Sequence, residues 1–358
     1  MEEVIVDQFI PSPESLLNKS LIAYGSSNSG KTFLLKYFMY MIRHKLPTAY
    51  AFSPTNEEKH ELDQILPPLY VYNDVRTETI KEIYERQRAI ASIYNMTKDA
   101  KKIRPIFERV ANPRARQELS NLESKNRFIS SKLEKNYKDP AVLSMKKKEL
   151  ATLVEKQKLI IYRKTIMEQS KFATLTEEQA FIARHMKIIP FTLIVFDDCT
   201  NELVSVIKEG KKKKDETIKN FFFKGRWAYV THWYAMHDDK NLDTDVRKNA
   251  QISVFTTKQV AYTFFQRPSN GFTKNQIKVA EQIIRSVFNE DGANRFPEHS
   301  KLLYQREEDK FYYIVAKPVV DFKLGAKKLH EISNQIKKKD ITEPNKYFNK
   351  FVKSQNLS

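Results

Sequence analysis

The chain of 358 residues has a single cysteine, Cys199. A disulfide framework is therefore excluded, and a reducing compartment is expected. Cys199 stands beside an acidic pair at the end of an apolar stretch and reads as a small buried residue. The seven histidines show no metal-ligand spacing; His232 and His237 are five apart and lack thiol partners. No apolar run approaches the ~20 residues needed to span a bilayer. The acidic start, Met1-Glu2-Glu3, is not a signal peptide. A soluble, intracellular protein without a membrane partner is expected. Glycine is absent from Arg76 to Lys187, and no internal repeat is visible.

What is present is a hydrophobic content of 41%, enough for a real core, and an excess of cations. Lys and Arg number 62 against 44 Asp and Glu, leaving +18. Such a balance favours a polyanionic partner. The length suits one large α/β domain with an insertion, or two smaller domains.

Gly25-Ser26-Ser27-Asn28-Ser29-Gly30-Lys31-Thr32 completes the pattern G-x-x-x-x-G-K-[ST]. It follows an apolar stretch, Ser20–Tyr24, and opens a helix-like run, Phe33–Met39, which is the setting such a phosphate-binding loop needs. Gly25 and Gly30 let the backbone fold with its N–H groups pointing inward. A helix starting near Lys31 adds partial positive charge at the same place. Lys31 is assigned to the terminal phosphates and Thr32 to Mg²⁺, with ATP as the nucleotide.

Residues 1–75 read as the first part of an α/β core. Strands are expected at Ser20–Tyr24, Thr48–Phe52 and Leu69–Tyr72, with a short helix at Glu57–Ile65. From 76 to 187 the chain is charged and helical in spacing, with breaks at Asn112-Pro113 and Asp139-Pro140. That segment holds 26 Lys and Arg against 14 Asp and Glu, a net of +12, so two-thirds of the excess charge lies there. It reads as a helical insertion, either a spacer or oligomerisation arm or a DNA-contacting arm. The core resumes over 188–320. Strands are expected at Phe191–Phe196, Trp227–Thr231, Gln251–Phe255 and Phe311–Val315, and a helix at Lys274–Phe288. A Lys-rich tail, 321–358, reads as a short helix and a mobile end. The expected fold class is α/β: a P-loop NTPase with a mainly parallel central sheet flanked by helices, plus a large basic helical insertion.

Hydrolysis needs a carboxylate for the metal and a group that positions water. Asp197 and Asp198 end an apolar strand on the side that faces a phosphate loop in a parallel sheet. Asp197 is assigned to Mg²⁺ together with Thr32, and Asp198 to the attacking water; on sequence alone the two roles are exchangeable. Thr231 and His232 are expected at the tip of the neighbouring strand, where either would sense the γ-phosphate. Arg247 is a candidate for neutralising charge on the transferred phosphoryl group. Lys211–Lys214, read as a loop opened by Gly210, is a candidate DNA contact. Phe221–Phe223 read as a buried helix face.

The order of these motifs resembles the genome-packaging ATPases of large eukaryotic DNA viruses, the poxvirus-type branch of the FtsK–HerA class. The matching elements are Gly25–Thr32, Leu193–Asp198, and the block from Trp227–His232 to Asp245–Ala250, in which Arg247-Lys248-Asn249 fits an Arg-x-Asn signature. Family members often carry glutamine where His232 stands. The resemblance implies an ATP-driven translocase that moves double-stranded DNA, without regard to its sequence, into a preformed capsid. It implies a homo-oligomeric ring in which Arg247 of one subunit completes the next subunit's site. Capsid or portal components would be partners, in the cytoplasm or viral factory of an infected cell. Another nucleic-acid motor, such as a helicase or a DNA-segregation ATPase, predicts similar residues. A nucleotide or small-molecule kinase, or a DNA-binding scaffold with a structural nucleotide site, are further readings.

Overall fold

The computed structural model describes residues 6–54, 61–96, 100–169, 190–237, 240, 242–290, 292, 295–325 and 327–337. The chain divides into two compact units, one built from residues 1–87 and 191–347 and the other from 88–190 and 348–358. The insertion expected from residue 76 thus begins later. The helix α3 (Thr77–Met96) gives its first half to the sheet unit, where Ile80, Ile83 and Tyr84 are buried.

The sheet unit is organised by nine strands in the order β1-β9-β8-β7-β2-β6-β5-β3-β4. In chain order these are β1 (Asp7–Gln8), β2 (Ser20–Tyr24), β3 (Thr48–Phe52), β4 (Val71–Tyr72), β5 (Thr192–Asp197), β6 (Val230–Met236), β7 (Ile252–Phe255), β8 (Lys301–Gln305) and β9 (Lys310–Ile314). The run from β7 to β4 is parallel, and the pairs β7–β8 and β8–β9 are antiparallel. The mainly parallel sheet is therefore as expected.

Alternation along the strands sends side chains to two separate cores. Leu21, Ala23, Trp233, Ala235, Ile252 and Val254 face the helix α2 (Lys31–Ile42), which buries Leu34, Leu35, Phe38, Met39 and Ile42 against them. The opposite face is aromatic. Tyr72, Phe52, Phe196 and Tyr234 occupy one register row across β4, β3, β5 and β6, with successive rings 5.1 Å apart and stacked. Strand spacing of about 4.8 Å places rings on neighbouring strands at stacking distance. This row lies one residue below Asp197 and fixes the tip of β5.

Several elements differ from expectation. The strand assigned to Trp227–Thr231 begins instead at Val230, because Tyr229 takes a left-handed conformation (φ 59°) that turns the chain. Gly225–Ala228 is a 3-10 turn and Trp227 is 73% exposed. Pro68 opens another 3-10 turn, shortening the strand expected at Leu69–Tyr72 to Val71–Tyr72. Of the helix expected at Glu57–Ile65, residues 57–60 lie outside the described residues and 61–65 form turns. The strands β1 and β8 were not anticipated. Residues of the expected tail belong to the sheet unit. Leu324 N–H donates to the Ile65 carbonyl, and Ser333 on a terminal helix, Lys327–Lys337, accepts from Leu69 N–H. The mobile end assigned beyond it lies outside the described residues.

The second unit contains α4 (Ala100–Val110), α5 (Pro113–Asn136) and α6 (Pro140–Gln169). Asn112 caps α5 by accepting from Ala115 N–H, so the two expected breaks fall where proline starts a helix. Lys147–Glu134, Lys158–Glu123 and Lys164–Glu118 pair α5 and α6 as an antiparallel hairpin. Ile103, Phe107, Ala115, Ile161 and Tyr162 form its small core. Phe128 and Met145 are more than half exposed.

Candidate active site

The phosphate loop connects β2 to α2. Gly30 adopts φ 86°, a left-handed conformation that a side chain would strain, and caps α2. A Cβ on Gly25 would stand 1.7 Å from Thr256 Oγ1 and 2.4 Å from Ser29 Oγ, so this position admits only glycine without displacement. Thr256 braces the loop, donating through Oγ1 to the Tyr24 carbonyl (3.0 Å) and meeting Ser29 Oγ at 2.6 Å. Lys31 is buried, and its Nζ donates to the carbonyls of Gly25 (2.7 Å) and Ser26 (2.9 Å). Ser26, Ser27 and Asn28 are exposed.

Backbone hydrogen bonds tie four strand tips together at this edge. Gly25 N–H donates to Met236 O, Asp198 N–H to Ala235 O, and Thr256 N–H to Tyr24 O. The carboxylate pair is therefore placed one strand away from the loop, since β6 lies between β2 and β5. Asp197 ends β5 and its Oδ2 lies 3.5 Å from Ser53 Oγ, which donates. Asp198 turns out of the strand at φ 54°. Its Oδ1 is 2.7 Å from His237 Nε2, whose N–H donates to the carboxylate. The apolar neighbour Cys199 is fully buried, and burial raises its thiol pKa well above the usual value, so it is inert packing.

Two expected site residues lie elsewhere. His232 pairs in register with Ser20, at the start of β2, whereas the strand tip that meets the loop is Met236. It is buried against Phe221 (4.8 Å between ring centroids) and Phe222 (6.4 Å), and burial pushes its pKa down to about 3. A neutral ring at the opposite sheet edge senses no phosphate, so that role is withdrawn. Thr231, next to it, accepts from Asn18 N–H. Arg247 lies on a short helix, Thr244–Asn249, that leads into the start of β7. It is 5% exposed; its guanidinium donates to Asn270 Oδ1 (2.8 Å) and Thr244 Oγ1 (3.0 Å). A guanidinium enclosed by its own subunit in this way is not presented to a neighbour's phosphates.

Lys211–Lys214 are not a loop opened by Gly210. A helix, Thr200–Lys212, continues through Lys212, with Gly210 buried against Ile218. Lys211 is paired with Asp243 (2.9 Å) and Asp245 (2.7 Å), and Lys213 with Glu209. A cavity of about 710 Å³ opens there, lined among others by Lys214, Asp215, Phe222 and Lys248. It is remote from the loop chemistry, at the edge where helices re-enter the sheet. Phe221 and Phe222 are buried, as expected of a helix face.

His237, Thr256 and Ser53 were missed from sequence. His237 follows directly from β6 once that strand is extended through Trp233–Met236. Thr256 is the first residue past the tip of β7.

A parallel sheet whose central strand enters a glycine-bounded loop and a helix N-terminus, with an acidic pair on a nearby strand tip, defines a P-loop NTPase. No family model matches the chain. It is 22% identical over 353 residues to the uncharacterized protein B354L of African swine fever virus (isolate Pig/Kenya/KEN-50/1950), covering 94% of this chain and 93% of that one. It is 26% identical over 68 residues, 19% of this chain and 26% of the other, to the uncharacterized protein 075L of Invertebrate iridescent virus 6. Its relatives are thus proteins of large DNA viruses. Among solved structures it is similar to the genome packaging NTPase B204 from Sulfolobus turreted icosahedral virus 2 in complex with AMPPCP, at 12% identity and a TM-score of 0.34, covering 85% of this chain and 99% of that one. The bacterial conjugative coupling protein TrwBdeltaN70 is another neighbour, with 10% identity, a TM-score of 0.32 and coverage of 90% and 91%.

Proposed function

We propose that the chain is an ATP-hydrolysing motor that translocates double-stranded DNA, and that its task is to package a viral genome. The observation that carries the hydrolytic part is the shared edge of Gly25–Thr32 and Asp197–Asp198, locked together by strand-tip hydrogen bonds. The residues fit a nucleotide and Mg²⁺. Gly25 makes room for the Thr256–Ser29 brace and Gly30 permits the left-handed turn into α2, and the loop N–H groups and the α2 N-terminus favour phosphate. Among the described residues no group of three or more His, Cys, Asp or Glu side chains clusters as a metal site. One carboxylate, Asp197, and one hydroxyl, Thr32, suit Mg²⁺, which keeps several waters and takes phosphate oxygens as ligands. When bound, the ion neutralises charge on the β- and γ-phosphates.

This chain's own groups do the remainder. Lys31 exchanges the Gly25 and Ser26 carbonyls for phosphate oxygens. Asp198 accepts a hydrogen bond from the attacking water and orients it, and His237 N–H holds that carboxylate in place. His237 takes the strand-tip position first assigned to His232. The basic excess, concentrated in residues 76–187, suits phosphate contacts that ignore base sequence, as a translocating motor requires. The packaging assignment, the homo-oligomeric ring and the capsid partners rest on the motif order and the viral relatives; they no longer lean on Arg247.

The test is ATP hydrolysis with and without double-stranded DNA, across a salt series. DNA-stimulated turnover that Lys31→Ala abolishes and salt suppresses is expected. Phosphoryl transfer to a small acceptor without DNA stimulation would instead make the chain a kinase. DNA binding with no turnover to lose would make it a scaffold.

A further inference from the structure

Lys301 opens β8 at the same edge as the phosphate loop. Its neighbour Leu302 pairs with Phe255, so Lys301 stands level with Thr256, the residue that braces Ser29. Its Nζ lies 3.3 Å, and its Cε 3.5 Å, from where a Cβ on Gly30 would be. The residue is only 8% exposed. Burial lowers its ammonium pKa, and no neighbouring carboxylate offsets that cost. Among the described residues the Lys301 ammonium forms no ion pair or hydrogen bond. Lys31, by contrast, is held by two carbonyls within the loop. A partly desolvated ammonium without an anion is unfavourable in the folded chain, and groups held in that condition concentrate where a ligand supplies the missing charge.

We propose that Lys301 is a second cation of the nucleotide site, meeting the phosphate chain of a nucleoside di- or triphosphate at Gly30, beside Lys31. This rests on the nucleotide-binding reading of the loop. It is a phosphate contact supplied from an antiparallel strand outside the motif that carries the loop, which explains why no local pattern announces it. The ligand satisfies the ammonium, and the ammonium adds a charge-assisted hydrogen bond to the ligand.

Lys301→Met, Lys301→Gln, Lys301→Arg and Lys31→Ala in the full chain separate the possibilities. Fluorescent N-methylanthraniloyl-ADP and a non-hydrolysable ATP analogue, each with Mg²⁺, are titrated, and melting is followed without nucleotide. Lys301→Met is expected to raise the nucleotide-free melting temperature while weakening both ligands about 10- to 100-fold, the range for a lost charged hydrogen bond. Lys301→Gln should weaken them similarly, and Lys301→Arg should recover part of the affinity. A merely structural lysine would move stability and affinity in the same direction, or leave affinity alone. If Lys301→Met and Lys301→Gln bind within twofold of wild type while Lys31→Ala does not bind, the proposal is overturned. Should Lys31→Ala also bind normally, the nucleotide site itself has been misplaced.

Discussion

Replacing His232 with leucine separates a buried core imidazole from a catalytic sensor. The ring is 4% exposed, packs on Phe221 and Phe222, and has no hydrogen-bond partner for Nε2 among the described residues. Its folded-state pKa of about 3 lies below the ordinary 6.5. The unfolded chain therefore binds a proton that the folded chain refuses. The contribution to stability is whole above pH 6.5 and is lost as pH falls from there towards 3. At pH 4.5, two units below 6.5, the loss is about 2.7 kcal/mol at 1.36 kcal/mol per unit. Leucine has a similar volume and no proton to refuse, so His232→Leu escapes this loss. Melting of the two proteins at pH 7.5 and 4.5 should show the variant's advantage growing by roughly 5–10 °C in acid, given about 2–4 °C per kcal/mol for a unit of this size. Turnover at pH 7.5 should stay within about twofold of wild type, since the residue pairs with Ser20 rather than with the loop end of β2. A gap in melting temperature that does not widen in acid would refute the buried neutral ring. A turnover loss above about tenfold with unchanged melting would refute its placement away from the phosphates.

Further outcomes follow from the same geometry. Asp198→Asn should lower kcat by about 10²- to 10⁴-fold with nucleotide affinity largely kept, measured by steady-state turnover and ligand titration. His237→Ala should lower kcat less, because it removes the group that orients Asp198 rather than the group that meets water; equal losses would point to a direct role. Arg247→Ala should cost about 2–3 kcal/mol in denaturant unfolding by removing the donors to Asn270 Oδ1 and Thr244 Oγ1. A folded Arg247→Lys should keep turnover within about twofold of wild type, alone or mixed with it; a large fall would restore a role across the subunit boundary. Thr256→Val should destabilise by about 1 kcal/mol and weaken nucleotide binding, since it removes the bonds to Tyr24 and Ser29.

Local chemistry was readable where a single segment carries it. Ser20–Tyr24, Thr48–Phe52 and the breaks before Pro113 and Pro140 have the expected bounds, because apolar strands and proline-initiated helices are written in adjacent residues. The loop and the acidic pair were legible for the same reason. The site's remaining members were hidden by chain geometry. Starting β6 three residues early moved its tip from Met236 to Thr231–His232, which lie towards the strand's other end. Only the left-handed turn at Tyr229 corrects it. Lys301 and Thr256 reach the loop through pairing across β2, β7 and β8, a relation no single segment shows. Arg247 fits a sequence signature, yet its burial against Asn270 is set by a turn more than twenty residues further on.

The two outermost strands, β1 and β4, are each two residues long. Among the described residues the rims of the sheet are therefore short edge strands, which disfavour pairing with a strand from a neighbouring protein. Subunits of a ring would have to meet through side chains and loops. Such contacts can loosen and re-form as neighbours tilt, whereas a backbone ladder shared between subunits would resist every step. Short rims thus suit an assembly whose members must move against one another many times without fusing.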